Sequence, residues 1–149
     1  MGLAERLDED LKSAMREQNE LRRSVLRIVR SELHNEEKDQ QKSLDEESVM
    51  AVINTLAKRN RESIEEFKKG NRADLVEREE AELQVLLEYL PQQFTEEEIS
   101  QLAIKIVQET ASKGPSDKGK VMSAIMPQVR GKADGAIVNK IVMGILENL

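Results

Sequence analysis

Apolar residues recur at helical spacing along nearly the whole chain. In the first segment, Leu3, Leu7 and Leu11 are separated by four positions each, and similar apolar stripes follow downstream. No run of four or more residues alternates between apolar and polar side chains, as a half-buried strand would. The pattern therefore predicts an all-α protein.

Residues 1–91 are predicted to form an N-terminal helical body of about four helices. The fourth helix must end at Pro91, which has no amide proton for a helical hydrogen bond. Gly70 is expected to end the third helix, and Asn71 is expected to cap the fourth. The apolar stripes give these helices the approximate ranges 3–15, 21–33, 45–69 and 75–90.

Residues 92–149 are predicted to form a compact C-terminal tail domain of three helices. Thr95 and Glu98 have the spacing of a capping box, which restarts a helix soon after the break at Pro91. Turns are expected at residues 114–117 and 131–135, between the three remaining apolar stripes. Roughly 58 residues are enough to close a small core of this kind.

The net charge of -6 is unevenly distributed along the chain. It results from 29 acidic and 23 basic residues, and residues 92–149 hold seven of each, so the whole excess lies in residues 1–91. Between Lys113 and Lys140, six basic residues are accompanied only by Asp117 and Asp134. A local basic stretch therefore lies within an acidic protein.

The composition argues against several kinds of catalytic or metal site. Because the chain has no cysteine, it has no disulfide, thiolate zinc site or cysteine nucleophile. Its one histidine, His34, is preceded three positions earlier by Ser31, where a ferritin-like iron site requires Glu. We therefore expect His34 to be a surface side chain, and we assign no catalytic residue, metal ligand or cofactor.

The expected location is cytoplasmic, without a membrane partner. No stretch approaches the roughly 18 uninterrupted apolar residues that a membrane span needs. The first residues also lack the apolar core of a secretory signal.

Two glycine-containing segments of the basic stretch carry the candidate binding residues. Gly119 and Gly131 fit no nucleotide-binding loop motif, but the lysines and backbone amides beside two helix N-termini suit phosphate groups. The alternative is that the glycines end helices and the lysines keep the turns soluble. Since the chain has only one Tyr and two Phe, any RNA would have to be recognised through its backbone rather than by base stacking.

The same region resembles the GatB/YqeY family. The resemblance is carried by residues 119–127, by the turn at 131–135 and by Val138-Asn139-Lys140, and it extends upstream through residues 71–76 and 88–93. Members are small free-standing bacterial proteins similar to the tail of the B subunit of glutamyl-tRNA amidotransferase.

The resemblance implies a non-catalytic tRNA-binding module. The enzyme's catalytic cradle and its amidase subunit have no counterpart here, so a family label such as carbon–nitrogen ligase with glutamine as amido donor has no catalytic residues to support it. The residues expected to contact the tRNA backbone are Lys118, Gly119, Lys120, Arg130, Gly131, Lys132 and Lys140.

An alternative function is that of a protein-interaction adaptor. The acidic N-terminal body would repel RNA but could dock on a basic protein face. The partner would then be a tRNA synthetase or an amidotransferase subunit.

Overall fold

The structure, a computed structural model, describes residues 2–149 and is helical throughout. Within this range there are seven α-helices, one short 3-10 helix at Pro115–Asp117 and no strand, so the all-α prediction is confirmed. The α-helices are α1 Leu3–Arg16, α2 Glu20–Gln40, α3 Glu46–Lys69, α4 Ala73–Leu87, α5 Glu96–Glu109, α6 Lys118–Val129 and α7 Gly135–Glu147.

The chain consists of two compact units, residues 1–91 and residues 92–149. In the first unit, α1 to α4 bury an aliphatic core around Leu26, Val29 and Ile53, with Tyr89 as its one buried aromatic residue. In the second unit, α5, α6 and α7 bury a separate core around Ile125 and Val138. Among the described residues, every buried side chain is hydrophobic, so the charged side chains lie at least partly on the surface.

Side chains cap two of the predicted helix starts, and the capping box at the second is the one that the sequence predicts. The Asp45 carboxylate accepts a hydrogen bond from the Ser48 amide at 2.8 Å, at the start of α3. Thr95 and Glu98 form both bonds of the capping box, at 3.1 and 3.0 Å, at the start of α5. Each cap satisfies amide groups that have no partner within the helix.

Helix α3 ends at Lys69 with Gly70 as its C-cap, as predicted, but the rest of the connection to α4 differs from the prediction. Gly70 has an ordinary backbone φ of -86°, while Asn71 has the left-handed φ of 55°. Arg72, not Asn71, precedes the first turn of α4, and no side chain caps that helix. The residue with a left-handed backbone in this turn is therefore Asn71, one position after Gly70. Asparagine tolerates that conformation better than most residues do.

Helix α4 also ends earlier than predicted, at Leu87. The amides of Tyr89 and Leu90 bond to carbonyls three residues back, at 3.1 and 3.2 Å, which tightens the chain into turns. A proline disfavours helical backbone at the residue before it. Pro91 therefore restricts the backbone conformation of Leu90 as well as its own.

A polar cluster around Tyr89 holds the end of the first unit's chain against α1 and α2. The Tyr89 hydroxyl donates to Asp10 at 2.6 Å and accepts from Arg22 at 2.9 Å. Arg22 also donates to the Glu88 carboxylate at 2.7 Å, and the Arg6 guanidinium lies 4.7 Å from the centre of the Tyr89 ring. One aromatic side chain therefore joins the segment after α4 to α1 and α2 through hydrogen bonds and a cation–π contact.

Tyr89 should keep its proton to unusually high pH in the native protein. Burial, together with its hydrogen bond to Asp10, raises the pKa of Tyr89 above the ordinary value of 10.0. Because the native pKa is the higher one, the stability that this group contributes is present below about pH 10 and is lost as the pH rises through the native pKa.

Tyr89 is the only tyrosine and there is no tryptophan, so the ultraviolet absorbance of tyrosinate reports this residue alone. We expect the native chain to titrate at higher pH than the same chain in urea. Coincident titration curves, measured where circular dichroism shows the protein still folded, would contradict the burial of this hydroxyl.

Candidate nucleic-acid interface in the C-terminal unit

Three of the seven candidate residues lie in the first turn of α6. Lys118, Gly119 and Lys120 are helical, so Gly119 is part of a helix and not of a turn. A Cβ atom placed on Gly119 would meet nothing within 4 Å. The protein's own packing therefore does not require a glycine at this position.

Two backbone amides at the start of α6 are committed within the chain. The amides of Asp117 and Lys118 bond to the carbonyls of Gly114 and Pro115, as α6 continues directly from the 3-10 helix. The Asp117 carboxylate accepts from the Lys113 amide at 2.8 Å. The lysine side chains are the cationic groups that a phosphate could contact at this end of α6.

The second group of candidates follows the end of α6. Gly131 has a φ of 78°, and its carbonyl accepts a hydrogen bond from the Gln93 side chain at 3.1 Å. The Lys132 carbonyl accepts from the Phe94 amide at 2.8 Å. The main chain of this turn is thus tied to the segment before α5, while the side chains of Arg130 and Lys132 are exposed.

Helix α7 carries the seventh candidate, Lys140, which is exposed. The Asp134 side chain caps this helix by accepting from the Ala136 amide at 3.1 Å. Its N-terminus already holds a carboxylate, so the expectation of two helix N-termini open to phosphate is not met.

The candidate side chains differ in their electrostatic environment from most basic residues of the first unit. Lys120 is 53% exposed and lies 3.9 Å from Asp117. Lys118, Arg130, Lys132 and Lys140 make no ion pair with any residue that the structure describes. Their positive charge is therefore not neutralised locally.

The seven candidates do not form one compact cluster. Lys118 and Lys120 lie at one end of α6, and Arg130 and Lys132 lie just beyond its other end, about 18 Å away along the helix axis. The structure thus brings the candidates together in two groups, with Lys140 on the neighbouring helix.

His34 is 74% exposed, as the sequence predicts. Among residues 2–149, no group of three or more acidic or histidine side chains is arranged to hold a metal ion. No helix in the same range is long and apolar enough to cross a membrane.

Comparison with known proteins gives a family match over nearly the whole chain. A family model described as "Yqey-like protein" matches residues 4–146. A protein of Pyrenophora tritici-repentis named "Altered inheritance of mitochondria protein 41, mitochondrial" is 33% identical over 144 residues, which cover 95% of this chain and 79% of that protein.

Proteins of the same name from two other organisms are also similar. The one from Lachancea thermotolerans is 39% identical over 113 residues, covering 74% of this chain and 60% of that protein. The one from Kluyveromyces lactis is 36% identical over 132 residues, covering 86% and 67%. None of these three names mentions tRNA or an amidotransferase.

These relatives correct two expectations. Their names contradict the cytoplasmic location expected above, and the organisms are eukaryotic rather than bacterial. The location was wrongly expected because it rested on the lack of a secretory core and of a membrane span. Mitochondrial targeting segments are amphipathic and need neither feature.

Alanine at the two glycines of the candidate interface should affect stability in opposite directions. Gly131→Ala puts a Cβ in a left-handed conformation and should destabilise the protein by about 1–2 kcal/mol. Gly119→Ala fills open space within a helix and should stabilise it by about 0.5–1 kcal/mol. Urea unfolding followed by circular dichroism measures both. Equal effects of the two substitutions would contradict the different backbone roles described here.

Proposed function

This chain belongs to the YqeY-like family, and on that premise we propose that its C-terminal unit is a non-catalytic module that binds the tRNA backbone. The observation that carries the proposal is that four cationic side chains, Lys118, Arg130, Lys132 and Lys140, make no ion pair with any described residue, in a unit of zero formal net charge. Unneutralised lysine and arginine side chains attract phosphate groups and displace condensed counterions.

The two groups at either end of α6 divide the binding between them. Lys118 and Lys120 contact phosphates at one end, and Arg130 and Lys132 contact phosphates at the other. A separation of about 18 Å suits an extended backbone, because nucleic acids present successive phosphates along a strand. Gly131 has no side chain, so the backbone of the RNA can approach this turn closely.

We further propose that the units at 1–91 and 92–149 are separate domains, of four helices and of three. Each has its own apolar core, and the capping box of Thr95 and Glu98 starts the second domain without help from the first. The tail domain then needs no contact with the first domain in order to bind RNA.

The proposal predicts that tRNA binding depends on Lys120 and Lys132 and falls with salt. We expect Lys120→Glu with Lys132→Glu to weaken binding by roughly tenfold and to lower the salt slope, d log K/d log[salt], by about 2 in magnitude. Fluorescence anisotropy of the full chain with labelled tRNA, titrated at several salt concentrations, measures both quantities. Whole-cell and mitochondrial tRNA are used separately, because the relatives' names place them in mitochondria.

A matched control separates this site from total charge. Lys105 is 71% exposed on α5 of the same unit and outside the basic stretch, so Lys105→Glu changes the charge as much as Lys132→Glu does. The proposal expects the Lys132 variant to be the weaker binder. No binding at low salt, or equal loss in both single variants, would refute it.

The competing adaptor function predicts a different result in cells. Protein partners that stay bound after nuclease treatment cannot be held through RNA alone. Recovery of a tRNA synthetase or amidotransferase subunit under these conditions, with no tRNA binding by the purified chain, would favour the adaptor. Glutamine-dependent amide transfer by the isolated chain would contradict both.

A further inference from the structure

The first unit carries a basic row that its net negative charge conceals. Along α2, Arg23, Arg27, Arg30, His34 and Lys38 follow one another at steps of four, three, four and four residues. At 100° per residue these positions fall within an arc of about 80°, and they extend over about 22 Å of the helix. The side chains therefore form one continuous row on one face, here called the α2 row.

The α2 row faces solvent. Arg27 and Lys38 are exposed, and the side chains of Arg30 and His34 are 65% and 74% exposed. The helix core is formed instead by Val25, Leu26 and Val29 on another side. Arg23 is less exposed, at 33%. The row is thus not needed to close the fold, and Arg27, Arg30 and Lys38 present their charges to solvent.

Two members of the row have an acidic partner on α2 itself. Arg23 is paired with Glu20, and His34 lies 3.9 Å from Glu37. The positive charge that remains available is that of Arg27, Arg30 and Lys38. From Arg22 to Ser31 there are four arginines and no acidic residue. Arg27 and Lys38 have no ion pair within residues 2–149. Arg30 meets Asp8 only at 3.9 Å, with both side chains more than half exposed, and such surface pairs contribute little. Arg22 itself is excluded, because it is held in the Tyr89 cluster.

The composition of this face indicates the kind of partner. Protein interfaces have an apolar centre, but the exposed apolar residues of α2, Leu21 and Ile28, lie roughly 120–140° around the helix from the middle of the row. Ser31 lies beside the row and is exposed, and its hydroxyl can also donate a hydrogen bond to a phosphate oxygen. Arginine matches the geometry of phosphate better than lysine does.

We propose that the α2 row is a second phosphate-backbone surface, which binds RNA independently of the lysines of the C-terminal unit. The inference rests on the proposed function in taking the RNA to be tRNA. The position of the surface does not depend on it. The acidic total of residues 1–91 does not prevent binding, since exposed charges beyond about 10 Å are screened at ordinary salt.

The test compares tRNA binding by variants of the full chain that have equal charge changes. One variant is Arg27→Glu with Arg30→Glu in the α2 row, and a second is Lys120→Glu with Lys132→Glu in the C-terminal unit. The control is Lys58→Glu with Lys69→Glu, two exposed positions on α3 of the first unit. Circular dichroism verifies folding, and Arg27→Gln with Arg30→Gln serves as the milder variant.

We expect the α2 variant to bind tRNA roughly tenfold more weakly than the wild type, with a salt slope lower by about 2 in magnitude. The control should lose much less affinity. The glutamine variant should give an intermediate loss.

The outcomes separate the two proposals. If the α2 variant and its glutamine form bind like the wild type while the C-terminal variant loses affinity, the α2 row is refuted and the proposed function stands. If only the α2 variants lose affinity, the α2 row stands and the proposed C-terminal site falls. Equal loss of affinity in the α2 variant and the α3 control would overturn the row as a defined surface. The row would also be overturned as an RNA surface if the α2 substitutions abolished binding to anionic lipid vesicles and left tRNA binding unchanged.

Discussion

The rest of this structure depends on one constraint, which is that the buried side chains are hydrophobic and nearly all aliphatic. The chain is 35% charged and 38% hydrophobic, and its buried positions are apolar in the part that the structure describes. Every lysine, arginine and carboxylate is therefore left at least partly on the surface. The charged groups that a partner can reach are therefore those on the surface, and their arrangement there sets which charged partners each face attracts.

That arrangement is set by helical periodicity rather than by the amount of charge. Residues 1–91 carry the whole net charge of -6, yet α2 places Arg23, Arg27 and Arg30 on one exposed face. Charges three or four residues apart on a helix lie side by side, whereas neighbours point about 100° apart. The net charge of a segment therefore says little about the electrostatic potential at any one of its faces.

The sequence predicted those features that depend on nearby residues. The all-α fold, the start of α3 at Asp45 and the capping box of Thr95 and Glu98 each follow from spacing within a few positions. The left-handed residue at Asn71, the helical state of Gly119 and the early end of α4 were missed, because each depends on how the chain continues beyond the local motif. The α2 row was visible in the spacing of its arginines, but the acidic average over 91 residues obscured it.

The scarcity of aromatic side chains limits what these surfaces can recognise. Tyr89 is only 4% exposed and is held by Asp10 and Arg22, while Phe94 packs against the core of the second unit. Sequence-specific binding of single-stranded RNA relies on stacking unpaired bases on aromatic rings, and neither the Tyr ring nor either Phe ring is fully exposed here. Lysine and arginine rows bind phosphates without reading bases, so discrimination among RNAs would have to come from the spacing of their phosphates, a property of folded RNA shape.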